Sequence, residues 1–239
     1  MEIKDFEKMF HEKLIEESIE INNVSFDKFR QFMTLLLDWN TKINLTAIKN
    51  EDEFIDKHFI DSLTVLKYFK DNDRYIDIGT GGGFPGIPLK LANPTLKGTL
   101  IDSVNKKILV NNDVISKLEL KDIEALHVRA EDLAFEKNYR EGFDVAVSRA
   151  VANLTTLVEY MIPFVKIGGK IICMKGPGLQ EELRDAQNAI KILGGEVEAI
   201  ETLNIGNEYE RNILIINKVK STNNKYPRKQ GKPLKEPLK

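Results

Sequence analysis

Residues 75–86 read Tyr-Ile-Asp-Ile-Gly-Thr-Gly-Gly-Gly-Phe-Pro-Gly, and this segment constrains the fold more than any other part of the 239-residue chain. An apolar, β-prone stretch runs into Asp77, and glycines follow at positions 79, 81, 82, 83 and 86. This arrangement is typical of a strand that ends in a tight turn, where the backbone approaches a ligand too closely for any side chain. The segment therefore predicts an α/β domain with a ligand at the carboxyl end of a strand.

Two acidic residues near this turn favour one ligand class. Glycine turns of this kind serve dinucleotides, flavins and S-adenosylmethionine alike. Asp77 lies two residues before the first glycine, where dehydrogenases usually carry an apolar residue and methyltransferases commonly carry a carboxylate. Asp102 closes the next apolar segment, at the position where a doubly wound fold binds a ribose diol. We therefore predict S-adenosylmethionine as the cofactor, contacted by Gly79, Gly81 and Asp102.

Strand and helix patterns alternate from residue 74 onward, which predicts a parallel sheet with helices on both faces. The strands are expected at 74–79, 98–102, 122–128, 143–148, 169–175, 196–204 and 210–218. A turn at 166–169 is expected to cap the helix before the fifth strand. The last two strands are joined by a short polar turn, so they must pair antiparallel. The fold class is thus α/β, a Rossmann-like methyltransferase fold with a mostly parallel seven-stranded sheet that ends in an antiparallel hairpin.

The residues before the sheet are predicted to form a helical cap. Apolar residues recur at helical spacing from Ile3 to Leu14, and Ser25 is placed to N-cap a second helix. Two further short helices are expected around residues 54–59 and 63–69. We divide the chain into an N-terminal helical cap (1–70), a cofactor-binding methyltransferase domain (71–220) and a basic, proline-containing tail (221–239). The tail is expected to be extended and partly disordered.

Composition excludes several classes of protein. The single cysteine, Cys173, rules out an internal disulfide and suits a reducing cytoplasm. The three histidines are widely separated, so no metal site is expected. The start of the chain is charged and lacks the apolar core of a signal peptide, and no apolar run approaches the ~20 residues of a membrane span. We expect a cytoplasmic protein without membrane contact, and a monomer, since nothing suggests an obligate oligomer.

The charge of the chain is distributed unevenly. Residues 218–239 contain eight basic residues and one acidic residue, whereas the remainder contains 27 basic and 36 acidic residues. An acidic body with a basic tail predicts a polyanionic partner such as a nucleic acid. The alternative is a solvated tail that only aids solubility.

Polar residues also follow the third, fourth and fifth strands. Glu131 is placed to meet the adenine edge, although acids such as Glu131 and Asp132 more commonly occur simply because they favour the first turn of a helix. Arg149 ends the fourth strand, where it would serve the site or form a structural ion pair. Lys175 is interpreted as a solvated strand end, His58 as a satisfied core histidine, and Cys173 as a buried inert thiol.

Several longer motifs resemble the RsmG (GidB) family, bacterial methyltransferases that modify guanine N7 in small-subunit ribosomal RNA. The resemblance covers nearly the whole chain, and its outer motifs are more restrictive than the glycine turn. The matching segments are 39–48, 58–63, 77–88, 102–107, 129–132, 148–151, 211–214 and 226–229.

The resemblance implies methyl transfer to N7 of a guanine (guanine-527 by family nomenclature) in a loop of 16S ribosomal RNA. It implies cofactor contacts through Gly79, Phe84, Ala130, Glu131 and Arg149. Guanine N7 carries no proton at neutral pH, so no general base is required and no catalytic residue is assigned. The partner is 16S rRNA or the small ribosomal subunit. RNA contacts are predicted for Arg211, Lys225, Arg228 and Lys229.

Two other functions are compatible with parts of the sequence. One is a methyltransferase of a small metabolite, over which the helical cap would close. The basic tail argues against it, because a small substrate needs no such tail. The other is a non-catalytic RNA-binding assembly factor, which would have little reason to keep an intact glycine turn together with Asp102.

Overall fold

A seven-stranded sheet forms the centre of the protein in a computed structural model, which describes residues 3–21, 24–48, 50–149, 151–205 and 209–238. The strands lie in the order β3-β2-β1-β4-β5-β7-β6. They are β1 (Arg74–Ile78), β2 (Lys97–Asp102), β3 (Ile123–His127), β4 (Phe143–Arg149), β5 (Val165–Lys175), β6 (Gly195–Ile205) and β7 (Tyr209–Lys218). Strands β1 to β5 pair in parallel, and β7 pairs antiparallel with both of its neighbours. The predicted fold class is confirmed.

Helices cover both faces of this sheet. They are α1 (Ile3–Glu16), α2 (Phe26–Asn40), α3 (Glu51–Phe54), α4 (Asp61–Leu63), α5 (Gly86–Ala92), α6 (Asn105–Lys117), α7 (Ala130–Leu133), α8 (Leu154–Met161), α9 (Leu179–Leu193) and α10 (Lys232–Lys235). A π-helix (Ile55–Ile60) joins α3 to α4, and 3-10 turns occupy Leu66–Tyr68 and Ile162–Phe164. Helices α7, α8 and α9 share one core cluster, whereas α1, α2 and α6 share another.

Successive residues of the central strands are buried on opposite faces. Tyr75 of β1 packs in one cluster with Val145 and Ile172, while its neighbour Ile76 packs with α8 and α9 on the other side. A parallel sheet covered on both faces needs apolar residues at nearly every strand position. This requirement explains why these strands read as continuous apolar runs in the sequence.

The helical cap packs directly on the glycine turn. Its aromatic side chains form one cluster in which Phe32 and Phe59 lie 5.3 and 6.4 Å, centroid to centroid, from the ring of Phe84. Ser25 caps α2 as predicted, because its side chain accepts a hydrogen bond from Lys28 N. The two short helices expected at 54–59 and 63–69 are partly confirmed, because the first lies within a longer helical run and the second is only the 3-10 turn Leu66–Tyr68. Helix α3, the π-helix and α4 run without interruption from residue 51 to residue 63.

The turn predicted at 166–169 is also wrong, because these residues belong to β5. The pairing register between β4 and β5 shifts between Phe143 and Val145, so β5 carries extra residues at this point. Gly168 has a φ of +85°, which places it in the left-handed region. Glycines inside a strand are typical of such bulges. A pair of glycines is also typical of a helix C-cap, which is why the sequence predicted a turn here.

The C-terminal segment, residues 221–238, folds back onto the domain, so the predicted extended tail is wrong. The Arg140 guanidinium donates hydrogen bonds to the carbonyls of Thr222, Asn223 and Tyr226. The side chain of Tyr226 is buried in the core cluster of α8 and α9. Backbone carbonyls and a buried ring thus hold a segment whose composition is typical of disorder.

A buried ion pair fastens the same segment further along. Glu159 of α8 is fully buried, and its Oε2 accepts from Arg228 Nη2 at 2.7 Å. Its Oε1 accepts from the Nε and the backbone N of Arg228 at 2.9 and 2.7 Å. A buried carboxylate is costly without a partner, so this contact ties the position of the segment to α8.

We expect Arg228→Met to lower the free energy of unfolding by about 3–5 kcal/mol, because the change leaves Glu159 buried without its cation. Urea denaturation followed by circular dichroism measures the loss. The matched control is Lys229→Met at the neighbouring, exposed position, which should change the stability by less than about 0.5 kcal/mol. Equal stabilities of the two variants would contradict the anchoring role.

Candidate cofactor site

The carboxyl ends of β1, β2 and β3 and the loop after β4 enclose a cavity of about 350 Å³. This volume is within the range of small-molecule sites in proteins. The structure places four of the predicted cofactor residues in its lining, namely Gly79, Asp102, Ala130 and Glu131. The position agrees with the rule that ligands of open α/β sheets bind outside the carboxyl ends of the strands.

The glycine turn is held against β2 by its own backbone. The N–H groups of Gly79 and Thr80 both donate to the carbonyl of Ile101, at 2.9 and 3.1 Å. Gly79 and Gly81 have φ values of +73° and +59°, a region that residues with side chains rarely adopt. A Cβ at Gly79 would overlap with Cγ2 of Val151. The backbone at Gly79 therefore lies against both the cavity and the loop after β4.

Asp77 stabilises this turn from the end of β1 and does not line the cavity. It is fully buried, and its Oδ2 accepts a hydrogen bond from the N–H of Gly86 at 2.9 Å. Burial raises the pKa of this carboxyl to about 7, although the nearby Thr80 hydroxyl, the N–H of Gly86 and the charge of Arg149 act to lower it. The acidic residue that distinguished the turn in the sequence is thus a part of the turn's scaffold.

Asp102 presents a carboxylate to the cavity with its orientation already set. Its Oδ1 accepts from the N–H of Val104 at 2.8 Å, and its Oδ2 accepts from the N–H of Gly81 at 3.1 Å. Lys107 lies 3.4 Å from the same Oδ2. A carboxylate offers about four acceptor positions, so after these three partners about one position remains for a ribose hydroxyl. The Asp102 carboxylate can accept from a sugar hydroxyl, and apolar neighbours such as Val128 can contact a base. These lining residues therefore fit a nucleoside cofactor.

Glu131 also lines the cavity, and its carboxylate has partners within the chain. Its Oε1 accepts from the backbone N–H of Gly231 at 3.1 Å, and the Tyr160 hydroxyl lies close enough to interact with its charge. Burial and the nearby carboxylate raise the pKa of Tyr160 to about 12. Glu131 therefore connects the wall of the cavity to the C-terminal segment.

Arg149 and Phe84 lie outside the lining of this cavity and contact the helical cap. Arg149 Nη1 donates to the carbonyl of Lys57 at 3.0 Å and to Oδ2 of Asp61 at 2.8 Å. The guanidinium carbon sits 5.0 Å from the centre of the Phe84 ring, a cation–π distance. Of the two roles considered for Arg149, the ion pair is present, and the cofactor contact stays a prediction.

His58 completes the contacts of this guanidinium. Its ring stacks on Phe84 at 4.4 Å, and its Nδ1 accepts from Arg149 Nη2 at 3.1 Å. Burial, and then the charge of Arg149, lower the pKa of His58 to about 3. The imidazole is therefore neutral, and its Nε2–H donates to Thr46 Oγ1 at 2.9 Å. His58 is a hydrogen-bonded core histidine, as interpreted from the sequence.

The four predicted RNA residues lie in different surroundings. Arg211 donates through Nε and Nη2 to the buried carboxylate of Asp61, at 2.7 and 2.8 Å, and Arg228 is paired with Glu159. Lys225 and Lys229 are exposed. Their contact with RNA stays a prediction for all four, and the two arginines would have to share their guanidinium groups with a carboxylate.

Other residues that surround the site were missed or misread in the sequence. Lys175 is not a solvated strand end, because its Nζ donates to the carbonyl of Ala152 and pairs with Glu182, both at 2.7 Å. Cys173 is buried as interpreted, and burial raises the pKa of its thiol to about 12. Leu234 lines the cavity, although nothing in the local sequence of the tail indicates it. Asp61 lies in the family motif at 58–63, but only the folded structure shows that its partners are Arg149 and Arg211.

The part of the chain that the structure describes contains neither a candidate metal site nor a candidate membrane-spanning helix. Within it, no group of three or more His, Cys, Asp or Glu residues is arranged to hold a metal ion. No helix there has both the length and the apolar character needed to cross a bilayer.

Comparison with known proteins places the chain in a family. A family model described as "GidB: rRNA small subunit methyltransferase G" matches residues 25–214. The ribosomal RNA small subunit methyltransferase G of Alkaliphilus oremlandii is 48% identical over 244 residues, with both chains covered completely. The protein of the same name from Clostridium novyi is 46% identical and covers 92% of each chain.

Solved structures agree with the fold. An rRNA methylase from Streptococcus thermophilus superposes with a TM-score of 0.51 at 14% identity, over 67% of this chain and 95% of that one. A SAM-dependent O-methyltransferase from Thermotoga maritima gives a TM-score of 0.51 at 15% identity, over 79% and 72% of the two chains. At these identities the likeness shows the architecture alone, and the sequence relatives carry the family assignment.

We expect Gly79→Ala to lower the free energy of unfolding by about 2–4 kcal/mol, because the new Cβ combines a strained φ with overlap against Val151. A double variant that also carries Val151→Ala should recover about 1–2 kcal/mol of this loss through relief of the overlap. Gly81→Ala is the control, since the nearest atom to its Cβ is Gly79 O at 4.0 Å. It should lose only the strain, about 1–2 kcal/mol. Additive losses in the double variant would show that the two residues do not clash.

The pKa of His58 predicts how stability depends on pH. Between about pH 3 and 6.5 the unfolded chain binds a proton at His58 and the native protein does not, so His58 makes the unfolding free energy rise with pH by about 1.4 kcal/mol per unit. Asp77 acts oppositely between about pH 4 and 7, because the native carboxyl keeps its proton. We therefore expect the unfolding free energy of the wild type to increase relative to that of His58→Gln as the pH rises from 4.5 to 6.5.

Chemical denaturation at several pH values measures this difference. Glutamine is chosen because its amide can accept from Arg149 and donate to Thr46, which keeps the hydrogen bonds. His11→Gln, at an exposed position of α1, controls for the loss of a histidine as such. A difference between wild type and His58→Gln that stays constant with pH would refute a native His58 that remains neutral over this pH range.

Proposed function

Because the chain belongs to the rRNA small subunit methyltransferase G family, it is an S-adenosylmethionine-dependent rRNA methyltransferase, and we propose that it methylates N7 of a guanine in a loop of 16S rRNA. In the family's nomenclature this is guanine-527. We further propose that it acts as a monomer in the cytoplasm, on 16S rRNA or the small ribosomal subunit. The single observation that best supports cofactor binding is the cavity that is lined by both the glycine turn and Asp102.

The residues around the cavity have separate tasks in this proposal. S-adenosylmethionine, when bound, supplies an electrophilic methyl group. The Asp102 carboxylate accepts hydrogen bonds from ribose hydroxyls, and Ala130 and Glu131 border the adenine. The backbone at Gly79 and Gly81 leaves room for the amino-acid portion of the cofactor. Phe84 and Arg149 complete the set on the cap side, where Arg149 serves the cofactor in preference to the guanine.

The acceptor atom determines what the protein need not do. Guanine N7 has a free lone pair at neutral pH, so no side chain has to remove a proton. Rate enhancement then depends on alignment of the two substrates, an orientation effect worth several kcal/mol. Positive charge passes to the purine, so a cation close to N7 would oppose the reaction. An arginine near the base is therefore expected at O6, at a phosphate or at the cofactor, and not at N7.

The RNA reaches the cavity from the side of the C-terminal segment. Lys225 and Lys229 are exposed there, and lysines of this kind bind phosphates without regard to sequence. RNA bases are read most readily in loops, where they are unstacked. The target guanine is expected to leave its stack and enter the site.

Mass spectrometry of nucleosides from ribosomal RNA tests the function. Cells that lack the gene should lose one 7-methylguanosine from 16S rRNA, and a plasmid copy should restore it. In vitro, a 16S transcript made with 7-deazaguanosine in place of guanosine should accept no methyl group, since it lacks N7. An unchanged nucleoside profile, or methylation of the deaza transcript, would reject the proposal.

We expect Asp102→Ala to weaken S-adenosylmethionine binding by about 1.5–3 kcal/mol, the range for a hydrogen bond to a charged group. Isothermal titration calorimetry on the folded variant measures the change. Asp132→Ala, an exposed acid of α7, is the matched control and should bind the cofactor as wild type does. If both variants retain wild-type affinity, Asp102 is not a cofactor residue.

A further inference from the structure

Leu234 has an unusual position for an apolar side chain. It lines the cofactor cavity, yet 65% of it is exposed to solvent. The exposed apolar residue at the mouth of a nucleoside-sized cavity has surface that a bound adenosine would cover. Burial of apolar surface is favourable, so cofactor binding should hold Leu234 against the site.

The short helix α10 that carries Leu234 is fixed to the domain by two contacts just before this residue. Before it, the N–H of Gly231 donates to Glu131 Oε1 at 3.1 Å, inside the wall of the cavity. Directly beside it, the carbonyl of Pro233 accepts from Thr156 Oγ1 of α8 at 3.1 Å. These two contacts keep Leu234 at the cavity. The first of them uses a residue of the cofactor site itself.

The same helix displays cations to the solvent. Lys232 and Lys235 flank Leu234 and are exposed. Lys232 forms only a surface ion pair with Glu236, at 3.7 Å and with both side chains more than half exposed, and such pairs are weak. A phosphate can therefore replace this partner at little cost. One helix of four residues thus presents an apolar side chain to the cavity and two cations to the solvent.

We propose that Leu234 is a cofactor-binding residue and that, through α10, S-adenosylmethionine and RNA bind with positive coupling. This inference rests on the proposed function, because the polyanion is the RNA substrate. The bound cofactor covers the exposed surface of Leu234 and so restrains α10 further than its two hydrogen bonds do. RNA then meets a helix that has less conformational freedom left to lose. By linkage, RNA must strengthen cofactor binding by the same factor.

The experiment measures the affinity of a 16S rRNA transcript with and without saturating S-adenosylhomocysteine, which cannot donate a methyl group. For wild type we expect RNA to bind about 5- to 10-fold more tightly with the nucleoside present. Hydrogen exchange should show slower exchange of the α10 amides under the same conditions. Leu234→Ala should bind the nucleoside about 5- to 10-fold more weakly, and its coupling factor should fall to about 1.

Two controls separate this effect from a general loss of structure. Ile167→Ala removes another exposed apolar side chain, 58% exposed near the start of β5 and thus at the opposite edge of the sheet, and should retain the wild-type coupling. The double variant Lys232→Gln, Lys235→Gln should keep its nucleoside affinity in the absence of RNA but lose the coupling.

The outcomes distinguish the inference from the function on which it rests. If wild-type protein transfers no methyl group to 16S rRNA, the proposed function fails. If it methylates the RNA but binds it equally well with and without S-adenosylhomocysteine, only the coupling is overturned. Coupling that persists unchanged in Leu234→Ala would likewise overturn it.

Discussion

The buried carboxylate of Asp61 joins three parts of the protein, and the geometry of the cap side of the site depends on it. It follows the π-helix of the cap and accepts hydrogen bonds from Arg149 at the end of β4 and Arg211 near the start of β7. Burying such charges is costly, and the attraction offsets that cost only when the geometry is good. The cluster therefore acts as a positional constraint, because the cap cannot shift without leaving a charge unpaired.

Strand direction explains how these arginines meet. Arg149 ends a parallel strand, so it reaches the edge of the sheet where ligands bind. β7 runs in the opposite direction, and its beginning lies at that same edge, with Asn212 opposite Lys175 at the end of β5. A parallel seventh strand would have placed Arg211 at the far edge. The antiparallel hairpin thus brings a residue remote in sequence to the functional side of the sheet.

The C-terminal segment follows a related logic. Its lysine and proline content predicts an extended, partly disordered tail, and its charge predicts a polyanionic partner. In the structure the arginines of the domain and of the segment make the decisive contacts, Arg140 with carbonyls and Arg228 with Glu159. Composition averages over all residues of a segment. The position of the segment, however, depends on individual contacts, such as the one in which the buried acid Glu159 pairs with Arg228. Among the described residues of the segment, the cations left exposed are its lysines, which lie at the surface together with Glu236.

The sequence by itself determined the fold class, the glycine turn and the place of Asp102. These depend on patterns within a few residues, strand periodicity, positive φ and a carboxylate at a strand end, whose physical causes are local. Only the tertiary structure decided that Asp77 serves the turn and not the cavity, that the turn at 166–169 is a bulge, and that Leu234 reaches the cofactor site. The position of Leu234 depends on which distant residue supplies the partner of its segment, as Glu131 does for Gly231. A partner across the fold is selected by packing and by the cost of unpaired buried groups, which no local pattern records.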